Sequence, residues 1–274
     1  MEKPRSWALD LNKVDQVSGL SPVELITKIG YAVLPDFLSP SEVRQFRDEV
    51  IALHLQERDL SGDHAYRYPH MVANNIVPRS RLFDHLLLHQ SLLPIVEHFY
   101  GSQGNLLEFR AINLQQCNET PFMHKDSMTN TVPGSPLRLF MIVALDPFSS
   151  ANGATFVIPG SHYFPFKPDP AIAEFVEPKI LEMSPGSCLL FDANLWHGPT
   201  ANTSGADRWA LSLAFGHWFI KPQFNWIASI SKDTFFEMPP RLQSLLGFNS
   251  RPPIDFLSRM TTVLSQDNIS FEAT

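Results

Sequence analysis

Ten histidines occur in this chain of 274 residues. Only one of them has a carboxylate two positions on, in His124-Lys125-Asp126. With 28 Asp and Glu in the whole chain, about one such match is expected by chance, so the pair carries little weight alone. In extended backbone, residues two apart point to the same side, which would let His124 and Asp126 grip one ion from one face. Imidazole plus carboxylate suits a borderline divalent metal. A third candidate ligand lies downstream. The run Gly186-Ser187-Cys188-Leu189-Leu190-Phe191-Asp192 reads as a strand leading toward His197, and Gly198-Pro199 reads as the turn after it. Arg208 follows eleven residues later and opens another strand. Arg208, Ala210, Ser212 and Ala214 would share one face of that strand, opposite Trp209, Leu211, Leu213 and Phe215. An Arg buried among small residues needs an anion, and a carboxylate is its natural bidentate partner. An internal acid such as Asp192 is one candidate for that partner, and an acidic cosubstrate is the other. Two histidines, a carboxylate and such an Arg together suggest a facial triad beside an anchor for an acidic cosubstrate.

Elements to position these groups are legible on both sides of them. Ser21-Pro22-Val23-Glu24 is a capping box with Pro at the first helical position, so a short helix should start there and stop at Gly30. Tyr31–Leu34 reads as a strand. Ser39-Pro40-Ser41-Glu42 repeats the helix-start signal, and Val43, Phe46, Val50, Leu53 and Glu57 follow at helical spacing. Residues 59–80 break any period and read as one long loop. The clustered His64, Tyr66, Tyr68 and His70 make it a candidate substrate lid. Leu82–Tyr100 reads as helical. From residue 105 onward the texture changes to short strands at Leu106–Gln116, Leu137–Leu145, Ala154–Ile158, Lys179–Met183, Cys188–Phe191 and Trp209–Phe219. Turns rich in Gly and Pro separate them, which indicates a β-sandwich or barrel with helices packed outside. The stretch after residue 221 is Pro-rich and aromatic, with a short helix expected near Pro240–Leu246.

Composition excludes several functions. A net charge of −7, without a Lys/Arg cluster, argues against nucleic acid as a partner. No stretch approaches a membrane span, and the first residues do not form a secretory signal. The two cysteines, Cys117 and Cys188, fall in apolar strand-like runs and read as buried thiols in a cytoplasmic protein.

Taken together, the motifs resemble the phytanoyl-CoA dioxygenase family of iron(II)/2-oxoglutarate oxygenases, from about residue 27 to about residue 219. Gly30-Tyr31-Ala32-Val33-Leu34-Pro35-Asp36-Phe37-Leu38-Ser39 is similar to the family's opening segment. His124-x-Asp126 matches the first two metal ligands. Asn152-Gly153 through Pro159-Gly160-Ser161-His162 matches a family turn. Phe191-Asp192-Ala193 through His197, with Asn202-x-Ser204 and Arg208, matches the last ligand and the cosubstrate Arg. Two positions depart: Gly186-Ser187 stands where the family often has Gly-Asp, and Pro121-Phe122-Met123 stands where it commonly has a Gln.

The resemblance implies a double-stranded β-helix, a cupin-like jelly-roll core. In a single domain spanning 1–274, helices of about 1–104 would lie outside a core of about 105–220, with an extension over 221–274. It implies iron(II) on His124, Asp126 and His197, with 2-oxoglutarate on Arg208. Thr155 and Gln115 are further cosubstrate contacts, with Gln116 or Asn113 as alternatives to Gln115. His162 would brace its turn, and His54, His85, His89 and His98 have no role. The activity implied is O₂-dependent oxidation, by default hydroxylation, of a C–H bond in a small, largely apolar organic molecule of the secondary-metabolite kind. Succinate and CO₂ are released. Desaturation, epoxidation or ring rearrangement are alternative outcomes. A cupin-like isomerase or binding protein without redox function is a more distant alternative, which leaves Arg208 unexplained.

Overall fold

The computed structural model describes residues 17–61, 71–115, 123–127, 129, 134–169 and 177–250. His64, Tyr66, Tyr68 and His70 of the expected lid, and also Gln116 and Cys117, lie outside them. The described chain divides into two compact units. One holds the residues up to Asn74 together with Arg110–Ala214, and the other holds Asn75–Phe109 and the residues from Phe215 onward.

The first unit begins as its local signals require. Helix α1 (Pro22–Ile29) carries the full capping box: the Ser21 hydroxyl accepts from the Glu24 amide, and the Glu24 carboxylate accepts from the Ser21 amide at 2.8 Å. Gly30 ends it at φ +92°. No side chain fits at Gly30, because a Cβ there would stand 2.6 Å from His162 Nδ1 and 2.6 Å from Leu195 Cδ1. Strand β1 (Tyr31–Leu34) follows, then helix α2 (Pro40–Ser61), which buries Val43, Phe46, Val50 and Leu53. Glu57, on the same stripe, anchors the chain beyond the helix. Its carboxylate takes both the backbone and side-chain N–H groups of Asn74, each at 3.0 Å.

The long loop expected over 59–80 is shorter than that. Helix α2 runs to Ser61, and strand β2 (Met71–Ala73) pairs with Ile112 and Ala111 of β3 (Asn105–Leu114). Pairing of a three-residue segment leaves no periodic signal in the sequence.

The remaining strands are β4 (Arg138–Ala144), β5 (Thr155–Val157), β6 (Lys179–Leu181), β7 (Cys188–Asp192), β8 (His197–Pro199) and β9 (Arg208–Gly216). Among the described residues they form a six-stranded sheet, β1-β7-β4-β9-β3-β2, and a three-stranded sheet, β6-β5-β8. After β4 the chain crosses to the small sheet for β5 and β6. It then returns for β7, crosses again for β8 and returns for β9. That alternation is the path of a jelly roll. Strand β7 lies between β1 and β4, with Tyr31 and Phe140 both opposite Phe191, and every residue of it is buried. A strand buried on both faces explains its unbroken apolar run. Cys188 opens this strand as a buried, free thiol. Against the outer face of β9, His54 of α2 meets Trp209 edge-on at 5.9 Å between ring centroids.

The second unit corrects another expectation. Leu82–Tyr100 is not one helix but a 3₁₀ turn (Arg81–Phe83), a short helix α3 (Asp84–Leu87) and helix α4 (Leu93–Tyr100). Pro94 in the first turn of α4 cannot donate a backbone hydrogen bond and so disfavours continuation from α3. The C-terminal part forms short helices α5 (Trp226–Ser229), α6 (Lys232–Glu237) and α7 (Pro240–Leu245). Trp226 Nε1 donates to the Leu106 carbonyl at 3.0 Å, and Phe235 packs on Phe248 with ring centroids 4.6 Å apart. Among the described residues, no helix is long and apolar enough to cross a membrane.

Candidate metal centre

His124 and His197 face each other across a single antiparallel bridge, with each amide donating to the other's carbonyl at 2.9 Å. Directly paired residues put their side chains on the same side, and the two imidazole centroids are 4.4 Å apart. Asp126, two residues on, joins them from that side. Its Oδ1 is 3.6 Å from His124 Nε2, and its Oδ2 is 3.4 Å from His197 Nε2. One ligand atom from each residue can be chosen so that all three lie within 4.8 Å of one another.

The strand at His197 was not legible as such. Gly198 and Pro199 read as a turn, yet they belong to β8, the edge strand of the small sheet, where Pro is tolerated. Its position is fixed by the neighbouring turn. The Ser161 hydroxyl accepts from the Trp196 amide at 2.8 Å, and the Ile158 amide donates to the Trp196 carbonyl at 2.9 Å. Ser161 thus has a part that its place in a turn motif did not reveal.

The imidazole of His197 is buried and lies against Phe191, with ring centroids 4.6 Å apart. Burial holds it toward the neutral form; Asp126 opposes this and His124 adds to it. Its Nδ1 lies 2.9 Å from the Leu195 carbonyl. A carbonyl can only accept, so Nδ1 carries the proton and Nε2 keeps its lone pair toward Asp126 and His124. The centre is asymmetric: the His197 side chain is 8% exposed, against 34% for His124 and 26% for Asp126.

His162 is a different case. Its Nε2 donates to the Thr27 carbonyl at 3.2 Å, and burial lowers its pKa to about 4. It is a neutral brace between its own turn and α1, as its turn motif suggested.

Arg208 opens β9 and is 5% exposed. Its guanidinium stacks over Phe148, with Cζ 4.1 Å from the ring centroid, and Nε has no hydrogen-bond partner among the described residues. Burial pulls its pKa down to about 10, against the pull of Asp146. Among the described residues, neither Asp146 nor Asp192 makes a hydrogen bond or ion pair with it. Asp146 gives one oxygen to Arg47 Nε and the other to the Trp209 amide, both at 2.8 Å. Asp192 accepts from the backbone and side-chain nitrogens of Asn194.

Thr155 is buried on β5. The register pairs Val157 with His197 and Thr155 with Pro199, so Thr155 and His197 point from the same face of the small sheet. Gln115 lies just past the end of β3 and is exposed. Asn113, a buried amide two residues earlier on that strand, donates to Asp207 at 2.9 Å, and its buried Oδ1 has no partner among the described residues.

The chain is similar to known proteins over most of its length. Residues 26–210 match the family model for phytanoyl-CoA dioxygenase (PhyH). An uncharacterized protein of Mycobacterium tuberculosis is 29% identical over 258 residues, covering 87% of this chain and 90% of its own. The dioxygenase FrzG of a Cladobotryum species is 26% identical over 262 residues, covering 84% and 85%. In three dimensions the chain is similar to HygX from Streptomyces hygroscopicus, solved with nickel, 2-oxoglutarate and hygromycin B. The TM-score is 0.59 at 20% identity, over 74% of this chain and 89% of that one. That likeness bears on the fold, and the match along most of the sequence bears on the family. The chain belongs to the phytanoyl-CoA dioxygenase family, and it is a dioxygenase dependent on iron(II), 2-oxoglutarate and O₂.

Proposed function

We propose that His124, Asp126 and His197 hold the iron(II), that Arg208 pairs with the far carboxylate of 2-oxoglutarate, and that the enzyme hydroxylates a C–H bond of a small organic molecule. The observation that carries this reading is the convergence of two imidazole nitrogens and a carboxylate oxygen within 4.8 Å. That donor set suits a divalent metal of the iron kind, with open positions left for other ligands. Iron(II) held by these three residues would supply the redox chemistry by which 2-oxoglutarate and O₂ give succinate and CO₂, with one oxygen atom going to succinate and one to the substrate.

The chain's own residues orient and shield. His197 offers Nε2 because the Leu195 carbonyl holds the proton on Nδ1. Phe191 covers the buried side of that imidazole and keeps water from it. The more exposed flank, at His124 and Asp126, is the side open to a substrate. Arg208 is a buried cation that needs an anion, and among the described residues neither Asp146 nor Asp192 pairs with it. Thr155 shares the His197 face and can add a hydroxyl donor to the cosubstrate, and the buried Asn113 replaces the exposed Gln115 as the candidate amide contact. HygX is seen with hygromycin B, which supports a small-molecule substrate of the secondary-metabolite kind here.

The test is succinate release from 2-oxoglutarate with iron(II), ascorbate and O₂. Substrate candidates are ranked by how far they accelerate that release and by a product 16 Da heavier. A wild-type enzyme that produced no succinate with any candidate, while His124→Ala behaved identically, would count against the ligand reading.

A further inference from the structure

We propose that Arg138 is a positioning residue that sets the direction of Asp126 toward the metal. This rests on the reading of His124, Asp126 and His197 as its ligands. Arg138 is the first residue of β4, twelve positions from Asp126, and its Nη2 donates to the Asp126 main-chain carbonyl at 2.7 Å. Among the described residues, no other hydrogen bond reaches that carbonyl.

The destination of the guanidinium is the informative point. A guanidinium beside an aspartate ordinarily takes the carboxylate, often through both oxygens. Here it takes the carbonyl instead, and the two carboxylate oxygens face one imidazole each. The Phe140 ring, 5.5 Å from the guanidinium carbon, supports it in that direction. Arg138 therefore steadies the ligand segment without competing with a metal for Asp126. The same residue is tied in through its backbone. Its carbonyl accepts from the Ala193 amide at 3.1 Å, and the Ala193 carbonyl accepts from the Ser127 amide at 2.9 Å. Phe140 in turn stacks on Phe191 at 5.6 Å, and Phe191 lies on His197. One side chain thus touches the supports of two ligands that lie far apart in sequence.

Groups that orient metal ligands typically change affinity about 10–100-fold when removed. Arg138→Gln in the full chain should weaken cobalt(II) binding by about that factor and shift the visible cobalt absorption, with Arg138→Lys in between. Titration of cobalt(II) under nitrogen reads both effects without turnover. Asp126→Ala is measured alongside. If Asp126→Ala binds cobalt(II) as wild type does, the ligand reading fails and this proposal falls with it. If Asp126→Ala loses binding but Arg138→Gln keeps wild-type affinity and spectrum, only the positioning role is overturned, whatever its melting temperature. Should Arg138→Gln not fold, Phe140→Leu is read in its place. That variant frees the guanidinium to turn to the carboxylate, so weaker binding with a shifted spectrum supports the proposal and unchanged binding and spectrum overturn it.

Discussion

Replacing Arg208 by Met should make the protein more stable without 2-oxoglutarate and insensitive to it. The guanidinium is 5% exposed, and burial holds its pKa down at about 10. That is more than two powers of ten below the ordinary value, and at about 1.4 kcal/mol for each the charge costs roughly 3 kcal/mol. The Phe148 face, 4.1 Å away, returns about 1–2 kcal/mol. A net cost of about 1–2 kcal/mol remains, which Met, similar in length and without charge, does not carry. At about 2–4 °C per kcal/mol, Arg208→Met should melt roughly 2–8 °C above wild type. The pKa is depressed, so the cost is fully present below about pH 10 and is relieved only as pH rises through it. The difference between the proteins should therefore be flat from about pH 6 to 9. Adding 2-oxoglutarate at about 100 times its Kd should stabilise wild type by about 2.7 kcal/mol and reverse the order. Scanning calorimetry with manganese(II) present, with and without 2-oxoglutarate, reads both effects. An Arg208→Met protein that melts lower without the cosubstrate and still gains stability from it would refute the argument.

Three further outcomes are expected. His124→Ala, Asp126→Ala and His197→Ala should each abolish turnover at low iron(II) while keeping the wild-type circular dichroism spectrum, and full activity in any one removes that residue from the ligand set. His162 has a folded pKa near 4, below its unfolded value, so the stability it contributes should be complete above about pH 6.5 and fall as pH drops toward 4. Denaturant melts of wild type and His162→Gln over that range should show the wild-type slope flattened, by up to about 3 kcal/mol in total. Gly30→Ala should lose about 2–3 kcal/mol in the same melts, because it combines a positive φ with a Cβ pressed on His162 and Leu195; a loss below about 0.5 kcal/mol would mean the turn relaxes freely.

Much of this was legible from local chemistry. The α1 cap, the stripe of α2 and the strand after Arg208 depend on neighbours within one or two turns of chain, and short-range rules read those well. The candidate ligands were legible because His-x-Asp and the later His and Arg stand in one ordered series, and the fold brings the three side chains together. What escaped depends on pairing between distant segments. Strand β8 hides behind Gly198 and Pro199, and it forms because β5 offers it an edge. Strand β2 exists through its pairing with Ile112 and Ala111. Arg138 carries no signal of its own in the sequence, and only the folded chain shows that it meets a backbone carbonyl, whereas Arg208 Nε finds no hydrogen-bond partner among the described residues. Gln115, Gln116 and Asn113 were not separable in the sequence; the end of β3 leaves Gln115 exposed and Asn113 buried.

The way the centre is built bears on how far its sequence can drift. His124 is placed against His197 by two backbone hydrogen bonds, Ser127 against Ala193 by a third, and His197 is kept in its tautomer by a backbone carbonyl. Amide and carbonyl groups are the same in every residue, so these contacts constrain side chains only at the ligands and at the few groups that must be small or charged. The flank beside His124 and Asp126, the more exposed one, is then free to vary with the molecule it must admit. The consequence for engineering is specific. Substitutions around the segment that carries His124 and Asp126 should alter which substrates accelerate succinate release. Substitutions at Ser161, which fixes Trp196 beside His197, should lower turnover for every substrate alike.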